Sequence, residues 1–200
     1  MKGDIKMAVS LVKGQKVSLT KEAPSLETMI VGLGWDINKK KGLFGGISGS
    51  FDLDASAIAL RNGKFEKNDD LVYYGNKKGC KGAIKHCGDN LTGEGDGDDE
   101  QIIINLEDLP KDVDKIIITV NIYNGKSKHQ DFGKVENAYV RICDEANGSE
   151  VLRFNLTDNY SGAVGMIFGE IYKHNDEWKF NPVGEGLNED SISKIANKYK

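Results

Sequence analysis

The chain has 200 residues, 38% of them apolar, enough for one good hydrophobic core and too few for two comfortable ones. Its formal net charge is −4, and the 27 Lys and Arg are spread along the chain and do not gather into a stripe with aromatics between them, which argues against nucleic acid as a partner. Three cysteines, Cys80, Cys87 and Cys143, form an odd and sparse set that does not read as a disulfide framework and fits a reducing compartment.

The first twenty residues lack an apolar secretory core, and no apolar run approaches the ~18 residues of a membrane span. A soluble, cytoplasmic protein is therefore expected. Strand signals begin at 28–35, ending in Trp35 and Asp36. Residues 38–50, NKKKGLFGGISGS, read as a flexible insertion between strands. In 51–60 the alternation puts Asp52, Asp54 and Ser56 on one face, continuing as Ile58 and Leu60, with the two carboxylates ~6.7 Å apart along the strand. That face is expected to be the inner one, with the carboxylates where it runs out at the rim. A further strand is expected at 71–74.

Period-two alternation is clearest later. Residues 101–106 sort Ile102, Ile104 and Leu106 against Gln101 and Asn105, and 116–123 sort Ile116, Ile118, Val120 and Ile122 against Thr119, Asn121 and Tyr123. Residues 138–143 and 151–156 follow. Residues 165–173 and 177–180 are joined by the turn-like His174, Asn175 and Asp176. After Glu189 and Asp190, the residues Ile192, Ile195, Ala196 and Tyr199 fit one helical face. Many strands without intervening helices predict an all-β antiparallel sandwich with one or two short peripheral helices, the helix closing one side.

GDNLTGEGDGDDE, residues 88–100, holds six carboxylates and no cation. Two carboxylates ~4 Å apart repel by roughly 4 kcal/mol at an effective dielectric near 20, against a domain stability of ~5–15 kcal/mol. Either the loop stays open and solvated, or a cation neutralises it. Gly88, Gly93, Gly95 and Gly97 suit a backbone that turns sharply and aims carbonyls inward, and many flexible hard oxygens favour calcium over zinc or copper. The helix-loop-helix calcium pattern fails, because counting from Asp89 puts Leu91 and Gly93 at ligand places. A β-roll fails because the motif occurs once.

Other sites read more weakly. Cys80, His86 and Cys87 lack the paired spacing of a zinc site. Only Lys85 lies close enough to activate a Cys87 thiolate. His86, His129 and His174 have no nucleophile in a sharp glycine turn. Glu170 reads as a rim carboxylate, and Trp35, Tyr172 and Trp178 as core.

Taken together, AVSLVKGQKVSLTKEAP, VGLGWD, FDLDASAIAL, GDNLTGEGDGDDE, LPKDVDKIIITVNIY, FGKVENAYVRI and FGEIYKHNDEWKFNPVGEG resemble the TerD family of tellurium-resistance and general-stress proteins. The resemblance runs from about Met7 to Tyr199 and sets residues 1–6 apart as an extension of a 7–200 domain. It implies a calcium-binding β-sandwich with ions held at one end by acidic loops. Its motifs nominate as metal ligands Asp36, Asp52, Asp54, Asp89, Asn90, Glu94, Asp96, Asp98, Asp99 and Glu100. The leading MKGDIK and the long 38–50 loop depart from the family pattern.

The expected function is that of a non-enzymatic calcium-binding module of a stress response associated with tellurite and other toxic agents. It would act through protein partners or a membrane surface. The competing expectations are a calcium-dependent hydrolase of phosphate esters and a thiol-based oxyanion-binding protein.

Overall fold

The computed structural model describes residues 8–37, 51–88 and 97–200. In chain order the strands are β1 (Val9–Leu11), β2 (Val17–Ser18), β3 (Thr28–Ile37), β4 (Leu53–Leu60), β5 (Leu71–Val72), β6 (Lys78–Gly79), β7 (Ile84–His86), β8 (Glu100–Asn105), β9 (Lys115–Ile122), β10 (Val135–Asp144), β11 (Glu150–Asn155), β12 (Gly165–His174) and β13 (Glu177–Leu187). The short helices are α1 (Leu19–Glu22), α2 (Gly125–Lys128) and α3 (Ile192–Asn197).

Among the described residues the strands form two sheets. Sheet A has the order β1-β11-β10-β3-β8-β7-β6 and sheet B the order β2-β13-β12-β9-β4-β5. The pairings are antiparallel apart from β1 with β11. The expected all-β sandwich is what the chain adopts, and the alternating segments supply its interior. Met29, Val31, Leu33, Ile102 and Ile104 of sheet A meet Ile116, Ile118, Val120 and Ile122 of sheet B in one buried cluster.

One face assignment is corrected. All eight residues of β4 are buried, and the inward set is Leu53, Ala55, Ala57 and Ala59. The Asp54, Ser56, Ile58 and Leu60 face is the outer face of sheet B. There Ile58 and Leu60 join Ile117, Ile167, Leu187, Ile195 and Ala196 in a second cluster. Helix α3 thus lies against this face, and each large aliphatic side chain it helps bury contributes on the order of 1.5–3 kcal/mol.

Two boundaries differ for local reasons. Strand β13 runs past the expected end at Phe180 because Pro182, which has no N–H, sits where the β12–β13 register shifts between Ile167 and Gly169. Strand β5 is shorter than expected because Tyr73 and Asn76 exchange backbone bonds and reverse the chain.

The segment after β13 crosses sheet B tightly. A Cβ on Gly165 would overlap the carbonyl oxygen of Glu189. Gly165→Ala should therefore lift this segment and lower unfolding free energy by about 1–3 kcal/mol in urea titrations. Unchanged stability would show that the crossing relaxes without cost.

Candidate functional site

The pairing registers bring the end of β3, the starts of β4, β8, β10 and β12, and the ends of β9, β11 and β13 to one end of the sandwich. Asp36, Asp52, Asp54, Asp98, Asp99 and Glu100 all lie at this end. Asp89, Asn90, Glu94 and Asp96 lie outside the described residues.

The run Asp98-Asp99-Glu100 does not converge. Asp98 lies on the outer face of sheet A, where a Cβ on Gly32 would overlap its carboxylate. Arg141 grips it with Nε at 2.7 Å from Oδ1 and Nη2 at 3.0 Å from Oδ2. Tyr139 and Gln101 each donate at 3.0 Å. Asp99 accepts the Trp35 N–H at 2.8 Å. Glu100 turns toward sheet B and accepts the Ala55 N–H of β4. Three adjacent carboxylates are thus separated, each against its own donor.

Asp98 belongs to a closed circuit. Arg141 continues to Glu150 at 3.2 Å, Glu150 pairs with Arg153 at 2.9 Å, and the Arg153 guanidinium stacks 4.1 Å from the centroid of the Tyr139 ring. The Tyr139 hydroxyl closes the ring on Asp98. Gly34 makes room for it, since a Cβ there would overlap the Tyr139 ring. The charges alternate in sign, as a neutral network should. Burial, and then Asp98, push the Tyr139 phenol up to about 12. Asp98 hydrogen bonds hold the Arg141 guanidinium well above its usual range. Burial would raise Glu150, but hydrogen bonds from Arg153 and Arg141 outweigh it and hold its carboxyl low.

Beside this circuit is an open groove of about 670 Å³ lined by Asp36, Asp99, Asn137, Tyr139, Arg153 and Asn155 among others. Asn137 takes a left-handed φ of 53° where β10 shifts register between Glu136 and Tyr139, and it donates to Asp36 at 2.7 Å. Burial raises the Asp99 carboxyl, Trp35 opposes this, and Asp36 and Asp98 add to it.

Asp52 and Asp54 are on the other side of the molecule's end, at sheet B. Asp54 is 3% exposed and stands directly across from Asn121 of β9. The Asn121 amide nitrogen donates to the Asp190 carbonyl at 3.2 Å, while its Oδ1 is buried and has no hydrogen-bond partner among the described residues. Ser56 Oγ, next along the same face, is also buried with none among the described residues. Burial, and then Asp54, raise the Tyr74 phenol. Asp54 and Asp98 therefore occupy opposite outer faces of a sandwich whose sheets are ~10 Å apart; the rim is shared, but not a single pocket.

Among the described residues, no three His, Cys, Asp or Glu side chains gather as a metal site would require. His86 accepts the Gly88 N–H on Nδ1 at 3.2 Å, so Nε2 carries the proton and faces Ala55 O at 3.2 Å and Glu100 Oε2 at 3.6 Å. The cysteines are free thiols. Burial and then Asp70 raise Cys80 to about 12, and burial raises Cys87 and Cys143.

Sequence reasoning missed Arg141, Glu150 and Arg153, and passed over Asn121 as an outward strand residue. The one available signal was the Gly-x-Gly of VGLGWD, two side-chain-free positions on one strand face over which other groups can lie. Arg141→Met should leave Asp98 buried without its cation and cost about 3 kcal/mol. Because the Glu150 carboxyl is held low, the circuit's contribution is present above the ordinary carboxylate range and lost as pH falls through the folded value. The wild-type advantage over Arg141→Met in denaturant titrations should thus shrink below about pH 4; a gap constant with pH would remove the circuit from the account.

The family model of the TerD domain matches residues 7–199. The chain is 46% identical over 198 residues to Stress response protein SCP2 of Bacillus subtilis (strain 168), covering 96% of this chain and 100% of that one. It is 47% identical over 181 residues to Tellurium resistance protein TerD of Serratia marcescens, covering 90% and 91%. In three dimensions it resembles a solved homologue of telluride resistance protein from Streptomyces coelicolor A3(2), with a TM-score of 0.66 at 20% identity over 88% of this chain and 98% of that one. That last likeness concerns the fold alone. On the domain match and the sequence relatives, the chain belongs to the TerD domain family, whose members are named for tellurium resistance and stress response.

Proposed function

We propose that this protein is a cytoplasmic, non-enzymatic calcium-binding module of a tellurium-resistance or general stress response, acting through protein partners or a membrane surface. The observation that carries the calcium reading is the buried Asp54 standing directly across from Asn121, whose Oδ1 is buried with no hydrogen-bond partner among the described residues. Ser56 Oγ adds a third oxygen on that face. An all-oxygen set of this kind fits a hard cation and offers nothing to a soft one. Bound there, calcium would offset the negative charge of Asp52 and Asp54.

Asp54 and Asn121 would hold the ion, with Asp52 beside them. Asp36 and Asp99, which share the groove, are the second described pair. Further ligands are assigned to Asp89, Asn90, Glu94 and Asp96. Asp98 and Glu100, though nominated with the rest, have positioning roles in this reading, because their bonds to Arg141 and Ala55 already tie the loop's end to both sheets.

Binding is favoured over catalysis because His86 is enclosed with both ring nitrogens facing backbone groups, which leaves it a poor general base. The raised thiols speak against an oxyanion-binding thiolate. Free cysteines support a reducing compartment. Among the described residues no helix is long and apolar enough to cross a membrane.

Calorimetry and thermal melts on metal-stripped protein test the proposal. Calcium at a hundredfold excess over its Kd should stabilise the fold by about 2.7 kcal/mol, and magnesium by less. An identical midpoint in chelator and in calcium, with no heat of binding, would end the calcium reading.

Asp54→Asn should weaken calcium binding by about tenfold or more, whereas Asp98→Asn should act mainly on stability, and the two effects should add because the groups lie on opposite faces. Strong coupling between them would mean that one ion bridges both.

A further inference from the structure

We infer that this end of the sandwich docks on an anionic lipid surface, with Tyr74, Tyr123, Lys126 and Lys128 as the contact residues. The inference rests on the calcium reading above and names the partner that reading leaves open.

Among the described residues the exposed large apolar side chains are Val12, Tyr74 and Tyr123, at 68%, 39% and 43% exposure. Topology puts all three toward the site end. Val12 follows β1, whose Leu11 is level with Phe154 near the end of β11. Tyr74 lies two residues beyond Val72, the partner of Ala57, and so is level with Ala55. Tyr123 follows β9, its N–H bonded to the Asp52 carbonyl at 2.8 Å. A tyrosine combines an apolar ring with a polar tip, which suits it to the boundary between headgroups and acyl chains.

The lysines are held beside Tyr123 on a rigid hook. Asn124 and His129 take left-handed φ values of 55° and 53° on either side of α2. The Lys126 N–H is bonded to the Asp190 carboxylate at 3.0 Å, and the Gln130 N–H to Gly125 O at 2.9 Å. Lys126, Lys128 and Lys134 are exposed on this hook, and Lys128 Nζ stands 5.3 Å from the Tyr123 ring centroid. Cations on long apolar stems around an aromatic ring complement anionic headgroups.

The same end carries Asp36, Asp52, Asp54 and Asp99, which would repel such a surface. Bound calcium offsets part of that repulsion, so docking should require the ion. Lysine ammonium groups on apolar stems around an exposed ring match a continuous anionic headgroup layer, which makes a lipid surface the occupant.

Co-sedimentation with vesicles of phosphatidylcholine and phosphatidylserine, against phosphatidylcholine alone, tests this in calcium and in chelator, with calcium binding followed by calorimetry. Wild-type protein should sediment only with the mixed vesicles in calcium. Tyr123→Ser and the double change Lys126→Gln with Lys128→Gln should each lower the bound fraction by about fivefold or more, with calcium Kd held within about twofold because none of the three side chains is an ion ligand. Calcium binding without vesicle binding would overturn this inference and leave the calcium reading standing. No calcium binding would remove both. Vesicle binding undiminished in chelator, or by the variants, would overturn it too. So would calcium-driven self-association in light scattering without vesicles, which would assign the surface to a second copy of the chain.

Discussion

Carboxylates on adjacent residues repel, and Asp98, Asp99 and Glu100 can start a strand together only because each meets a different donor. Arg141 takes the first, the Trp35 N–H the second, and the Ala55 N–H the third. These bonds reach the outer face of sheet A, the end of β3 and the edge of β4. The acidic segment is therefore fastened to both sheets through its own charges. Apolar packing between the sheets is non-directional; these charge-assisted bonds are directional and set how the ends of β3, β4 and β8 meet.

A second layer rests on the outer face of sheet B. Ile58, Leu60, Ile117 and Ile167 would be exposed there without α3, whose Ile195 and Ala196 cover them. The chain reaches α3 by crossing Gly165 and bonding Asn121 through the Asp190 carbonyl. The segment that closes the apolar cluster is thus the one that roofs the Asp54–Asn121 pair and fixes the lysine hook through the Asp190 carboxylate. Stability and site geometry are coupled through one crossing.

The strands were legible where one face is apolar and the other polar, as in β8 and β9. Strand β4 misled because both faces are buried: a face of Asp, Ser, Ile and Leu and a face of Leu and three alanines do not declare which looks inward, and a helix from the far end of the chain decides it. The shared rim of the acidic groups was legible from strand ends. Their separation onto opposite faces was not, since it depends on which face of β4 looks inward and on Asp98 folding back over Gly32. Arg141, Glu150 and Arg153 look like ordinary solvated strand charges until β10 and β11 are paired. Gly32 and Gly34 advertised only that something lies over β3.

The bond from Glu100 to Ala55 also bears on self-recognition. Among the described residues strand β4 pairs with β5 at Ala57 and Ile58 alone, and a strand flank left without a ladder partner is a template for annealing to another chain. At Ala55 the N–H is taken by the Glu100 carboxylate and the C=O is approached by His86 Nε2. Two side chains here do the work of a neighbouring backbone, and because they cannot propagate a ladder, the growth of intermolecular β-structure is blocked at that residue.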